Sequence, residues 1–110
     1  MIRISLASLA LFACAHTSQA APSQGSQAVV DMDTAACTSA QDTYKFVSLM
    51  SEGDNLAAVR FIESRGASCR VFRKKTGGRI AEVMAVGVAC VRPRGDPECY
   101  WIPSAFLTTP

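Results

Sequence analysis

Four cysteines, Cys37, Cys69, Cys90 and Cys99, limit what this 110-residue chain can fold into. A fifth, Cys14, sits in a different setting. Met1-Ile2-Arg3 is a short cationic start, Ile4 to Ala15 is an uncharged apolar run, and Ser18-Gln19-Ala20 sets small residues ahead of a cut at Ala21. Together these read as a secretory signal peptide over residues 1–20. The run is shorter than the roughly 20 apolar residues a membrane span needs, and no later segment comes closer. Leu11-Phe12-Ala13-Cys14 is also a loose lipoprotein box, so a lipid anchor at Cys14 is the alternative to cleavage after Ala20. Either route takes Cys14 out of the count. An even set of four in an exported chain then reads as two disulfides in an oxidising compartment, periplasmic or secreted.

Of the three connectivities, one is favoured by symmetry. Cys90 and Cys99 are equidistant from the Arg94-Gly95 step, so a chain folded there sets them opposite each other. That pairing, Cys90–Cys99, leaves Cys37–Cys69 to tie the start of a helical part to the first strand. By the chain-entropy model each bridge contributes roughly 2–4 kcal/mol, a decisive amount in a single small domain.

Along the mature chain the pattern changes once. Residues 21–33 are small, polar and without period, which predicts a flexible tether. Residues 34–66 read as a helical hairpin. Thr38 and Gln41 fit a capping box, followed by Ala40, Tyr44, Val47 and Met50 at helical spacing. Gly53 stops that helix, Asp54 or Asn55 caps a second, and Leu56, Val59 and Ile62 give it an apolar stripe up to Gly66. Residues 67–110 form a β part. Short strands at 68–73, 79–86, 88–92 and 99–102 are punctuated by Lys74 to Gly78, Gly87, Pro93 to Pro97 and Pro103-Ser104. The expected fold is α+β, one disulfide-stapled domain over residues 34–110, with the helical hairpin packed on a small antiparallel barrel or curled sheet.

The chemistry-bearing residues argue against catalysis. The single histidine, His16, lies in the signal, so the mature chain lacks imidazole and a histidine-dependent hydrolase is excluded. The cysteines show no Cys-x-x-Cys spacing, and neither metal nor cofactor is expected. A carboxylate pair could be drawn from Asp31, Asp33, Asp42, Glu52, Asp54, Glu63, Glu82, Asp96 and Glu98. Most have structural roles instead: Asp54 as a cap, Asp96 in a turn, Glu52 and Glu63 on solvated helix faces.

The charge is uneven. Residues 21–66 carry three basic and six acidic side chains, and residues 67–110 carry seven basic and three acidic. Arg70, Arg73, Lys74, Lys75 and Arg79 fall within ten residues with no acid between them. On a hairpin such a patch would attract an anionic lipid, a cell-wall polymer or an acidic protein face. Its structural counterpart is a solvated turn whose lysines block edge-to-edge pairing. Tyr100 and Trp101 are strand neighbours and point to opposite faces, one into the core and the other beside Arg92 and Arg94 as a binding surface. Near-neutral mature charge and export argue against a nucleic-acid partner.

Residues 69–107 resemble a bacterial Src-homology-3-like module. Gly95 precedes the hairpin return, Tyr100-Trp101-Ile102 supplies the aromatic strand, and Ala105-Phe106-Leu107 is similar to the closing strand. Cys69-Arg70-Val71 stands where such modules usually open with Asn-Val-Arg. Cys90-Val91-Arg92 with Cys99-Tyr100-Trp101 is also similar to segments of small secreted bacterial proteins. The resemblance implies a curled set of short strands and binding of cell-wall peptides or envelope proteins. The expected function is an exported, non-enzymatic binding or structural protein of the bacterial envelope. The alternative is an exported inhibitor of a lysozyme or protease, entering an active site with the Pro93 to Glu98 loop.

Overall fold

A computed structural model describes residues 22–110; the expected signal, its cleavage site and the lipidation candidate Cys14 lie outside the described residues. Two helices, α1 (Ala40–Ser51) and α2 (Asn55–Ser64), pack on a sheet of seven strands. The strands are β1 (Gln27–Val30), β2 (Thr34–Cys37), β3 (Cys69–Phe72), β4 (Gly77–Met84), β5 (Val88–Pro93), β6 (Tyr100–Pro103) and β7 (Leu107–Thr108). All pairings are antiparallel, in the order β3-β2-β6-β5-β4-β1-β7. The fold is α+β, and the sheet is not closed into a barrel.

Connection lengths force this sheet to curl. β1 and β2 lie four places apart in it, yet only residues 31–33 join them. Flat strands spaced about 4.8 Å apart would put them some 19 Å from each other. Four Cα steps reach only about 14 Å. The connection from β3 to β4, residues 73–76, crosses the same four places and imposes the same bend. Its inner turn is locked by backbone bonds from Lys75 N–H to the Val30 carbonyl (2.7 Å) and from Val30 N–H to the Thr76 carbonyl (2.9 Å).

The curl gives the sheet two covered faces. The concave side gathers Val30, Ala36, Phe72, Ile80, Val91, Tyr100 and Ile102, joined by Phe106 and Leu107. Phe72 and Tyr100 meet edge to face, with ring centroids 5.5 Å apart. On the convex side the helices pack through Ala35, Phe46 and Ala58, while Val88, Cys90 and Trp101 lie against Ala40. Thr43 is the one buried polar residue among those described, and it is fully bonded. Its hydroxyl donates to the Trp101 carbonyl (2.9 Å) and accepts from Cys37 N–H (3.0 Å), which fixes α1 to β2 and β6.

The structure revises several expectations. The stretch read as a tether carries β1, whose Ala28 and Val30 are buried. Residues 34–37, assigned to the helical hairpin, are β2, and the cap of α1 is Ser39 rather than Thr38. Thr38 is still held by the strand register, donating its N–H to the Ser68 carbonyl at 2.8 Å. The Leu56 and Val59 stripe of α2 faces solvent, at 60% and 51% exposure. Ala58 and Phe61 pack inward instead, because small residues (Ala35 under Ala58) let the helix approach the sheet closely. Asp54 does cap α2, accepting from Ala57 N–H at 3.2 Å, and Gly53 ends the first helix at φ +81°.

The disulfides join Cys37 to Cys69 and Cys90 to Cys99. Their geometry differs from the symmetry argument. Cys37 and Cys69 are the directly opposed pair, on β2 and β3. Cys90 faces Trp101 in the register, so its bridge to Cys99 runs diagonally across the β5–β6 loop. Two disulfides are the mark of an oxidising, non-cytoplasmic compartment. No helix among the described residues is long and apolar enough to cross a membrane.

Candidate functional site

The basic cluster at 70–79 does not lie on a hairpin. β3 pairs with β2, and β4 pairs with β1 and β5, so the intervening turn is a corner between distant strands. This separates the five cations into three settings.

Arg70 points to the concave side. Its guanidinium lies over the rings of Phe72 (4.8 Å) and Tyr100 (5.7 Å) and bonds the Asp96 carboxylate at 3.0 Å. Asp96 belongs to the loop after β5, and its other oxygen accepts from Glu98 N–H at 2.9 Å. The Glu98 backbone bond holds the Asp96 carboxyl below its usual range; desolvation, second in size, opposes it, and the Arg70 guanidinium and Tyr100 hydroxyl add to the lowering. Burial, reinforced by the Asp96 charge, pushes the Tyr100 phenol up. A carboxylate so engaged is a poor proton acceptor, and this group acts as a brace.

Arg73, Lys74 and Lys75 occupy the corner. The Lys74 N–H donates to Asp33 Oδ1 at 2.7 Å, and the Thr76 hydroxyl to the Arg73 carbonyl at 2.7 Å. Asp33 thus sets an acidic side chain against this turn. Lys75 sits at φ +77°, in the left-handed region that glycine usually fills.

Arg79 is placed with partners from elsewhere in the chain. In the register Gln27, Arg79 and Arg92 form one row across β1, β4 and β5. Their neighbours Ile80 and Val91 face the concave core, so Arg79 and Arg92 face outward. With Arg94, just beyond β5, they line a half-open groove of about 650 Å³ floored by Ala28, Val29, Gly77 and Gly78 and bordered by Pro110. Gly78 is required by the packing of β4 on β5: a Cβ, directed to the concave side, would meet the Arg92 carbonyl oxygen and Val91 Cγ1, both at 2.7 Å. Arg79 also donates to the Gly25 carbonyl at 2.8 Å.

The three arginines are unpaired within this groove, which Pro110, the last residue of the sequence, also lines. Like charges directly opposed across strands are unfavourable, and Arg79 faces Arg92. The ion pairs among the described residues are Arg65–Asp42 and Arg70–Asp96, neither of which involves these three arginines. Residues 1–21 contain no acid that could serve.

Of the remaining candidates, Tyr100 and Trp101 do point to opposite faces, but both are buried, at 6% and 7% exposure. Neither forms an exposed binding surface, because the helices cover the face that holds Trp101. No group of three or more His, Cys, Asp or Glu side chains gathers among the described residues. Sequence reasoning missed Gln27, Gly77 and Gly78 as groove residues; the only available signal was the Gly-Gly pair, which was read as a turn. A second hollow, of about 530 Å³, opens beside α1 and α2 between Lys45, Leu49, Leu56 and Phe61.

No protein-family model matches the chain, and no match was found among curated proteins or among solved structures.

Proposed function

We propose that this is an exported, non-enzymatic binding protein of the bacterial envelope that holds an anionic group of a partner in the Arg79, Arg92 and Arg94 groove. One observation carries the reading: two directly opposed arginines and a third beside them line a groove, and none of the three is ion-paired among the described residues. Repulsion of that kind weakens the free protein and is relieved when an anion enters. The disulfides and the signal-like first 20 residues support export. Kinship with Src-homology-3-like modules belongs to the same proposal, supported by the short strands curled around Phe72, Tyr100 and Ile102.

Titration with dextran sulfate, a generic polyanion, tests the site at low and high salt. A triple Arg79→Gln, Arg92→Gln, Arg94→Gln variant should lose most of the binding, and Lys74→Gln with Lys75→Gln should keep it. The reverse ranking would move the site to the corner.

The inhibitor reading has its own support. The Pro93 to Glu98 loop is braced by the Cys90–Cys99 bridge and by Asp96 against Arg70, which gives an exposed segment a fixed shape. Inhibition of a panel of lysozymes and proteases by the intact protein, lost when the loop is replaced by Gly-Ser, is its expected signature.

A further inference from the structure

We infer that the groove takes a phosphate group carried on a sugar ring; this rests on the anion-binding reading above and narrows it to a ligand class. Three features define that class. The cations are all arginines, whose planar forks match the paired oxygens of a phosphate, and three of them suit a dianion better than a single carboxylate. The floor beside them is bare: Gly77 has no side chain, Gly78 and Ala28 are directed to the concave core and leave backbone at the floor, and Val29 and Pro110 present only small apolar surface. A ring can lie flat there while its phosphate meets the guanidiniums. At the far end of the row, the Gln27 side-chain amide can donate to and accept from ring hydroxyls.

The lining also sets aside neighbouring classes. A nucleotide base binds through aromatic stacking, and the groove lining contains no aromatic side chain. A long polyanion can place only one or two of its groups here, because the cationic surface does not run on past the groove. Beyond Gly77 the chain enters the corner, where Asp33 is bonded to the Lys74 backbone and competes with the lysines for that role. The volume of about 650 Å³ is that of a compact ligand.

The test is a nuclear magnetic resonance titration of the whole protein with glucose 6-phosphate, inorganic phosphate, sulfate, acetate and glucose. Glucose 6-phosphate should shift the amides of Gly77, Gly78, Arg79 and Arg92 and bind about tenfold more tightly than inorganic phosphate, through the added ring contacts. Arg92→Lys, which keeps the charge but not the fork, should lose about tenfold for glucose 6-phosphate while retaining dextran sulfate binding. Vesicles containing a phosphorylated glycolipid distinguish the source: capture places the sugar phosphate on a membrane headgroup, and glucose 6-phosphate binding without capture places it on a soluble or polymer-borne glycan. Sulfate or acetate binding as tightly as glucose 6-phosphate would overturn the ligand class and leave the anion groove intact. Absence of any shift in the groove, with dextran sulfate also unbound, would overturn both.

Discussion

Arg70 and the Arg79–Arg92–Arg94 set occupy opposite faces of the same sheet and meet very different surroundings. Arg70 has a carboxylate at 3.0 Å and two aromatic rings beneath it, and Asp96 reaches it from a loop 26 residues away. The other three have no carboxylate partner, and two of them oppose each other directly. A cation neutralised within its own chain contributes to stability and has little left for a ligand. A group of cations left unbalanced costs stability, and that cost disappears only when something outside the chain supplies the negative charge. The contrast therefore separates their roles: Arg70 braces the fold, and the outer arginines are the surface proposed above to bind.

The largest test strikes the element shared by both sites. The Cys90–Cys99 bridge closes the loop that carries Arg94 to one face and Asp96 to the other. A Cys90→Ala, Cys99→Ala variant should lose about 3 kcal/mol of stability in urea unfolding, by the chain-entropy estimate for a short loop. It should weaken the brace and the groove together. Next in size, Gly78→Ala should cost about 2 kcal/mol, since the new methyl meets backbone that cannot retreat without parting β4 from β5. The methyl also presses on Val91, so the variant should shift amides of the concave core as well as those of Arg79 and Arg92.

A smaller effect separates the two sites by sign. Asp96→Asn should lower the melting temperature at pH 7. Because the folded state holds this carboxyl below its ordinary value of 3.8, its contribution is present above that pH and is lost as pH falls through the folded value. The variant and the native protein should therefore converge in strong acid. Arg92→Gln should do the opposite at neutral pH, stabilising by about 0.5 kcal/mol at low salt as the cross-strand repulsion is removed. In 1 M salt that gain should vanish, because exposed charges there interact over only about 3 Å. An Arg92→Gln variant destabilised at low salt would remove the distinction between the two sites.

Much of the local structure could be read from the residues. Gly53, Gly66, Gly87 and Gly95 all adopt positive φ at the turns expected of them, and Asp54 caps the second helix. What escaped was non-local. β1 and β2, Gln-Ala-Val-Val and Thr-Ala-Ala-Cys, are only four residues each, too short for a period to show, and β2 is half alanine; their partners in β4, β7, β3 and β6 complete the strands. Without those strands in the register, 70–79 looks like one basic hairpin. With them, Arg70 and Arg79 fall on opposite faces, and Arg79 joins Arg92 and Arg94 across a strand pair no linear spacing announces. The helix stripe held only at Ile62, which packs beside Phe61 on the core; Leu56 and Val59 face solvent, and the smaller Ala58 is the fully buried residue of the helix.

The place of β1 in the sheet has a consequence for the timing of folding. It is the first described strand in chain order, yet it lies between β4 and β7, the fourth and the last. Whatever emerges first from a ribosome or a translocation channel therefore waits for nearly the whole chain before it has neighbours to pair with. Contacts this distant in sequence are slow to form, and until they do the apolar face of β1 is exposed to other chains. A variant cut short before Leu107 would leave β1 with a bare edge and should collect in aggregates rather than in partly folded monomers.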